Sequence, residues 1–281
     1  MDTATIRVPA TTANLGPGYD CLGVALQIHN EATVTRSEDT LADSPMAEEI
    51  AGHFFATSGV LPFGFSWEVA GDVPRSRGLG SSVTVRLGLL HGLNEIAGRP
   101  LHADQLFQLC AKLEGHPDNA APAAFGGFTV AGGEKIARFE VAPELHFVLL
   151  IPDFEIATPE ARRVLPATID RLNAGRSAAN ACRITAAFAT RDYDLLRGAF
   201  EDHLHQPYRE KELIPFLSRV IAAGASAGAL GGFLSGSGST ICCLTLQEPE
   251  AVGEAMRAAS GNAGAQVVVT AADNQGVALI S

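Results

Sequence analysis

"PRSRGLGSSVTV", residues 74–85, packs two glycines and three serines into a bend immediately ahead of an apolar segment. From Val83 onward, apolar residues fall at 83, 87, 90, 93, 96 and 97, one face of a helix that Gly98 closes. Upstream, "FSWEVAG" (65–71) alternates as a strand does. The bend therefore lies between a strand and a helix N-terminus. Amides in the first turn of a helix have no intrahelical partner, and the helix dipole makes that end positive. Glycines there let an anion approach the backbone. A plain capped turn has the same composition, so this stretch alone leaves both readings open. It does not fit G-x-x-x-x-G-K-[ST], because the three lysines of the chain stand at 112, 135 and 211, and it does not fit G-x-G-x-x-G.

Working outward, residues 3–9 and 24–35 read as strands around the turn-rich "TTANLGPGYDCLG". Apolar positions 46, 50 and 54 predict a helix stopped by Gly59, and Ala103 to Glu114 a second one capped by Gly115. Strands are expected at 126–131, 135–141 and 146–151, then helices over 167–190, 193–204 and 212–223. Strands at 239–246, 265–271 and 276–280, with a helix at 249–259, complete the chain. Strands and helices mix without regular alternation, which predicts an α+β fold rather than a doubly wound sheet. The boundary between two domains is placed at 147/148, giving 1–147 and 148–281.

The chain has 281 residues, of which 47% are hydrophobic, enough for a substantial core. A net charge of -11 argues against a general nucleic-acid binder and gives no basic face for acidic lipid. The five cysteines (21, 110, 182, 242, 243) include no C-x-x-C pair, which fits a reduced, cytoplasmic setting. "MDTATIRVPA" has neither the basic nor the apolar region of a signal peptide, and no apolar run is long enough to cross a bilayer.

Three further stretches carry chemistry. "NLGPGYDCLG" (14–23) and "LSGSGSTICCL" (234–244) are glycine-rich turns beside strands. "LEGHPDNAAPAAFGG" (113–127) compresses Glu114, His116, Asp118 and Asn119 into six residues between apolar flanks. "GASAG" (224–228) fits G-x-S-x-G, but a nucleophile elbow needs a strand before it, and here a helix is expected.

In that order, "VPATTANLGPGYDCLG", "PRSRGLGSSVTV", "EGHPDNAAPAAFGG" and "FLSGSGSTI" resemble the GHMP small-molecule kinases over nearly the whole chain. Within that superfamily "ANLGPGYD", "EGHPDN", "TPEARRVLP" (158–166) and "HQPYREKELIP" (205–215) are most similar to the homoserine kinase family. The resemblance implies an N-terminal domain of ribosomal-protein-S5-like topology, a ferredoxin-like C-terminal domain, and an active site between them. It implies a cytoplasmic homodimer that uses ATP and Mg²⁺ to phosphorylate L-homoserine, a step toward threonine. It assigns Gly78, Leu79, Gly80, Ser81 and Ser82 to a phosphate loop, with Pro74 and Arg77 on its approach. Ser82 and Glu114 become metal ligands. Asp20, with Asn14 beside it, takes the substrate ammonium, Arg162 and Arg209 take its carboxylate, and His116, Asp118 and Asn119 lie near the reacting hydroxyl. Arg163 competes with Arg162 for register. Arg75, Arg77 and Arg86 are the arginines nearest the loop. The sequence departs from the family pattern in "SSVTV", where small alanines are usual, and in a short 36–45 region, which leaves the adenine contacts unplaced. A GHMP kinase for another alcohol, such as mevalonate, and a non-catalytic binder with this fold stand as alternatives.

Overall fold

The computed structural model describes residues 2–37, 44–132 and 135–281, so most of the short 36–45 region lies outside the described residues. The elements run β1 (Thr3–Ala13), β2 (Leu22–Arg36), α1 (Pro45–Ser58), β3 (Phe65–Gly71), α2 (Ser81–Ile96), α3 (Ala103–Glu114), α4 (Ala120–Phe125), β4 (Phe128–Ala131), β5 (Ile136–Phe139) and β6 (His146–Ile151). They continue with α5 (Thr158–Arg163), α6 (Arg171–Thr190), α7 (Gln206–Glu212), α8 (Leu217–Ser226), β7 (Gly231–Leu234), β8 (Ile241–Thr245), α9 (Pro249–Ser260), β9 (Gln266–Thr270) and β10 (Ala278–Leu279).

Two sheets organise the α+β fold. The first has the order β10-β1-β2-β4-β5, with β3 also paired to β2. The second is antiparallel in the order β7-β8-β6-β9. Its strands and helices follow β6-α8-β7-β8-α9-β9, the ferredoxin-like succession expected of the C-terminal part. The apolar run "HFVLLI" explains how this sheet is covered on both faces. Phe147 and Leu149 enter the core between the two sheets, with Phe128, Phe188 and Phe233, while Val148 and Leu150 enter a separate core with Ile214, Val220 and Met256. The cut at 147/148 falls within β6, and the last residues return to the first sheet, where Ala278 and Leu279 pair with Arg7 and Ile6. We call each sheet with its helices a unit; the first sheet draws on both ends of the chain.

Helix α2 lies on the first sheet with its N-terminus at the junction of the two units. Its seat is made by two glycines a turn apart. A Cβ on Gly88 would stand 2.5 Å from the Ala32 methyl carbon, and one on Gly92 would stand 2.4 Å from a Val34 methyl carbon. Their absence lets the helix backbone approach β2 closely, while Leu87, Leu90 and Leu93 fill the core beside it. The unusual "VT" pair after the serines has a packing explanation. Val83 is fully buried, and Thr84 accepts a hydrogen bond from the buried Asn30 amide at 2.9 Å while donating to the Ser81 carbonyl at 2.8 Å.

Several expected elements differ. Residues 193–204 form only a short 3₁₀ turn over Tyr193–Leu196, after which Gly198 takes a left-handed φ of 73° that breaks helical continuation. The helix expected at 167–190 starts at Arg171, behind the side-chain cap of Asp170, and the one at 212–223 is Leu217–Ser226. "GASAG" is the C-terminal end of that helix, so it forms no strand-to-helix elbow.

The close seat of α2 gives a prediction. In an open helix Gly92→Ala would stabilise through helix propensity. Here the added methyl has no room, and urea unfolding is expected to show a loss of about 1–3 kcal/mol. A gain in stability would mean that α2 does not lie this close to β2.

Candidate active site

The site is a cleft of about 510 Å³, within the usual range for small-molecule sites, where the N-terminus of α2, the turn after β1, the α3–α4 connection, α5, α7 and the loop between β7 and β8 converge. Gly78, Gly80, Ser81 and Ser82 line it. Gly78 and Gly80 both adopt left-handed φ values, 73° and 68°. Neither has room for a side chain: a Cβ on Gly78 would meet the Ser235 carbonyl oxygen at 2.1 Å, and one on Gly80 would meet the Thr11 hydroxyl at 2.1 Å. The glycines therefore serve the loop's own geometry as well as access to its amides. Gly80 is the cap of α2, and the first-turn amides that follow have no intrahelical acceptor.

Leu79 is buried in the core between the sheets, and Pro74 lines a different depression, near His29 and Gln266. Arg77 turns away from the cleft as well. Its Nε and Nη2 donate to the carbonyls of Pro152 and Asp153, both at 3.0 Å, tying the loop to the second unit. Leu79 keeps its place in the loop backbone, but the side chains of Pro74, Arg77 and Leu79, expected on or beside the phosphate loop, thus do not line the cleft. Arg75 does line it.

Ser82 and Glu114 meet across α2 and α3. The Ser82 hydroxyl donates to Glu114 Oε2 at 3.0 Å, and Oε1 forms a close ion pair with Arg86. A hydroxyl and a carboxylate beside a helix N-terminus form an all-oxygen donor set of the kind Mg²⁺ takes together with phosphate oxygens, so these residues fit the metal.

In the central motif, Asp118 Oδ1 accepts from His116 Nδ1 at 2.6 Å and from the Asn119 amide at 2.9 Å. The Thr11 hydroxyl in turn donates to Asn119 Oδ1 at 2.7 Å. The hydrogen bond to Asp118 raises the pKa of His116 against the opposing effect of burial. All four polar residues of "EGHPDN" line the cleft.

Asp20 and Arg162, which also line the cleft, form an internal ion pair. Arg162 donates to both oxygens of Asp20, at 2.7 and 3.2 Å, and to the Tyr19 hydroxyl at 2.9 Å. Arg163 is exposed on the outer side of α5, near Glu160, so Arg162 is the residue in register. Asn14 uses both ends of its amide. It accepts from the Asp20 amide at 3.0 Å and donates to the Gly236 carbonyl at 2.9 Å, so it organises the turn that presents Asp20. Arg209, only 2% exposed, donates through Nε to Ala161 and through Nη1 to Gly236. His205 accepts from the same Nη1 at 3.1 Å while its Nε2 donates to the Gly16 carbonyl at 2.8 Å. Burial pushes the His205 pKa down to about 4, consistent with the neutral ring these two bonds require.

Sequence reasoning missed several of these neighbours. Tyr19 lies under the guanidinium groups of Arg162 and Arg209, each 5.6 Å from its ring centre, although it sits inside the quoted "NLGPGYD". His205 opens the quoted "HQPYREKELIP" without having been read as a partner of Arg209. At the other end of the cleft, Met46, Trp67, Val69 and Val85 form an apolar wall contributed by α1, β3 and α2. Its residues are scattered along the chain, and no local motif announces them.

Comparison with known proteins identifies the family. Residues 45–127 match the GHMP kinases N terminal domain and residues 184–262 the GHMP kinases C terminal domain. The homoserine kinase of Moorella thermoacetica is 40% identical, over 94% of this chain and 95% of the relative, and that of Halothermothrix orenii is 35% identical over 98% and 96%. The crystal structure of homoserine kinase from Cytophaga hutchinsonii superposes with a TM-score of 0.90 at 26% identity, covering 100% of this chain and 98% of that one. Mevalonate kinase from Methanococcus jannaschii shares the fold, with a TM-score of 0.72 at 15% identity over 95% and 97% of the two chains. The chain belongs to the GHMP kinases and, within them, to the homoserine kinase family.

Proposed function

We propose that the cleft takes ATP with Mg²⁺ and transfers the γ-phosphoryl group to the hydroxyl of L-homoserine. The observation that carries this reading is the Asp20–Arg162 pair beside Arg209, opening on the same cleft as the glycine loop. A carboxylate and a guanidinium that neutralise each other suit a ligand bearing both charges. The ammonium of an amino acid replaces Arg162 on Asp20, and its carboxylate takes Arg162 with Arg209. A hydroxy acid without an amine satisfies only half of that exchange. This favours homoserine over mevalonate as acceptor. The cytoplasmic setting and the homodimer belong to the same proposal and rest on family resemblance. Among the described residues no helix is long and apolar enough to cross a membrane.

In this reading the first-turn amides of α2, with Gly78 and Gly80 beneath them, bind the phosphates. Ser82 and Glu114 hold the metal, which supplies neutralisation of phosphate charge when bound. The apolar wall of Met46, Trp67 and Val69 receives the adenine. Asp118 has its Oδ1 tied by His116 and Asn119, which orients the carboxyl group toward the acceptor hydroxyl and supports a role in aligning that hydroxyl or receiving its proton. Phosphoryl transfer asks chiefly for such alignment and charge stabilisation.

Four outcomes test the reading. Ser82→Ala and Glu114→Gln are each expected to lower kcat and kcat/KM together by about a hundredfold or more with unchanged circular dichroism, because the lost interaction is made mainly to the transferring group. Turnover near the native rate in Mg²⁺ would remove that residue from the metal site. In an assay that follows ADP across a panel of alcohols, L-homoserine should exceed 4-hydroxybutyrate in kcat/KM by about a hundredfold or more, since the latter leaves Asp20 unpaired. Arg209→Lys should raise the KM of homoserine far more than that of ATP, because Lys lacks the planar fork. Equal use of the two acceptors would reduce the reading to a GHMP kinase of another specificity, and tight nucleotide binding without turnover of any alcohol would favour a binder. Finally, Trp67 is the only tryptophan of the chain, so its emission reports the wall directly. Saturating ADP should change it, and an unchanged spectrum with binding verified by calorimetry would put the base elsewhere.

A further inference from the structure

Glu114 has a second neighbour to which the reading above gives no task. Arg86 follows Ser82 by four residues on α2, so the two side chains leave the same helix face one turn apart. Between them they occupy both oxygens of Glu114: the Ser82 hydroxyl bonds Oε2, and Arg86 Nη1 pairs with Oε1. The ion pair is well shielded, with side-chain exposures of 15% for Arg86 and 9% for Glu114. Glu49, half exposed, is 3.8 Å from Arg86 Nη2 and is the only other acid paired with it among the described residues. Ser82 and Glu114 both line the cleft, whereas Arg86 does not. Arg86 therefore grips the carboxylate from the side away from the ligand. It does so at a cost, because its Nε is buried without any hydrogen-bond partner.

Two consequences follow. A carboxylate pinned at Oε1 cannot turn to offer both oxygens to an ion in the cleft. It presents Oε2 alone, which suits the compact octahedral shell of Mg²⁺ better than the larger, often bidentate shell of Ca²⁺. In addition, the guanidinium offsets the charge of Glu114 at short range. The attraction of the site for a bare dication falls, and the negative charge that retains the metal must arrive with the phosphates.

We propose that Arg86 is a positioning residue for Glu114: it restricts the carboxylate to one metal-facing oxygen and makes divalent-ion binding conditional on bound nucleotide. The proposal rests on the reading of Ser82 and Glu114 as metal ligands, and its test separates the two. Mn²⁺ is titrated against the full-length protein, with and without ADP, and the free ion is followed by electron paramagnetic resonance. This readout requires no turnover. Arg86→Met removes both the grip and the charge, Arg86→Gln keeps a donor without the charge, Arg86→Lys keeps the charge, and Glu114→Ala removes the ligand.

Without ADP, Arg86→Met and Arg86→Gln are expected to bind Mn²⁺ about tenfold or more tighter than the native protein, and ADP should then improve Mn²⁺ affinity by a smaller factor than it does natively. Arg86→Lys should remain close to native. Native-like Mn²⁺ affinity and native-like coupling to ADP in the Met and Gln variants, folded by circular dichroism, overturn the proposal. Should the Met variant not fold, the Gln variant decides. Loss of ADP-dependent Mn²⁺ binding in Glu114→Ala is expected. If that loss is seen while the Arg86 variants behave natively, only the role of Arg86 fails. If Glu114→Ala binds Mn²⁺ as the native protein does, Glu114 is not a metal ligand, and the proposal falls with that reading.

Discussion

The approach of α2 to β2 fixes the rest of the molecule. Gly88 and Gly92 remove the side chains that would hold the helix off Ala32 and Val34, and the helix axis is set by that contact. Once the axis is set, the N-terminus of α2 opens where the two units meet. Ser82 then faces Glu114 at the end of α3, because α3 shares the same core through Leu106, Phe107 and Cys110. The positive pole that α2 presents to the cleft is positioned by packing between small residues about two to three turns away from it.

The second unit is fastened to this end of α2 by the loop after β7. The Ser235 hydroxyl donates to the Gly78 carbonyl at 2.6 Å, the Thr240 amide donates to the Arg77 carbonyl at 3.1 Å, and the Gly236 amide donates to the Ala13 carbonyl at 3.0 Å. Arg77 completes the seam from the other side through Pro152 and Asp153. The glycine loop is thus held between both units. The Gly236 carbonyl also accepts from Asn14 and Arg209, so one short loop links the glycine loop to the Asp20 and Arg209 end of the cleft.

Those parts of this arrangement that depend on local pattern were legible in the sequence. Helix α3 spans the expected 103–114 and ends at the expected Gly115, whose φ is 82°, because a strong 3.6 period and a glycine cap coincide there. Strand β6 covers the expected 146–151 for a similar reason, an uninterrupted apolar run. The elements that were missed are short or depend on tertiary contacts. Helix α4 contains Pro122 and only six residues, α7 has seven, and β7 is four residues beginning with two glycines. None has enough length to display a period. In the site, the residue types were readable from motifs, but their pairing was not. Asp20 and Arg162 are 142 residues apart, and nothing local indicates that they neutralise each other. The apolar wall is built from three elements whose apolar residues look, in sequence, like ordinary core.

Charge in the cleft is arranged as pairs awaiting exchange. The chain has a net charge of -11 and only three lysines, so the positive side chains near the cleft are arginines. Arg77 is spent on carbonyls, Arg86 on Glu114, and Arg162 on Asp20. The N-terminus of α2 also faces the cleft, with amides fixed in place, beside the lining side chains of Arg75 and Arg209. The ion pairs serve the complementary task. Each orients its partners; the Arg86–Glu114 pair is shielded, where a lone charge would be costly, whereas Arg162 and Asp20 are partly exposed. In the proposed reading, each is opened by a ligand that brings a replacement charge: a zwitterion for Asp20 and Arg162, and a metal accompanied by phosphates for Glu114. Selectivity in such a site arises from the requirement that both halves of a pair be satisfied at once, which a ligand carrying half the charges cannot meet.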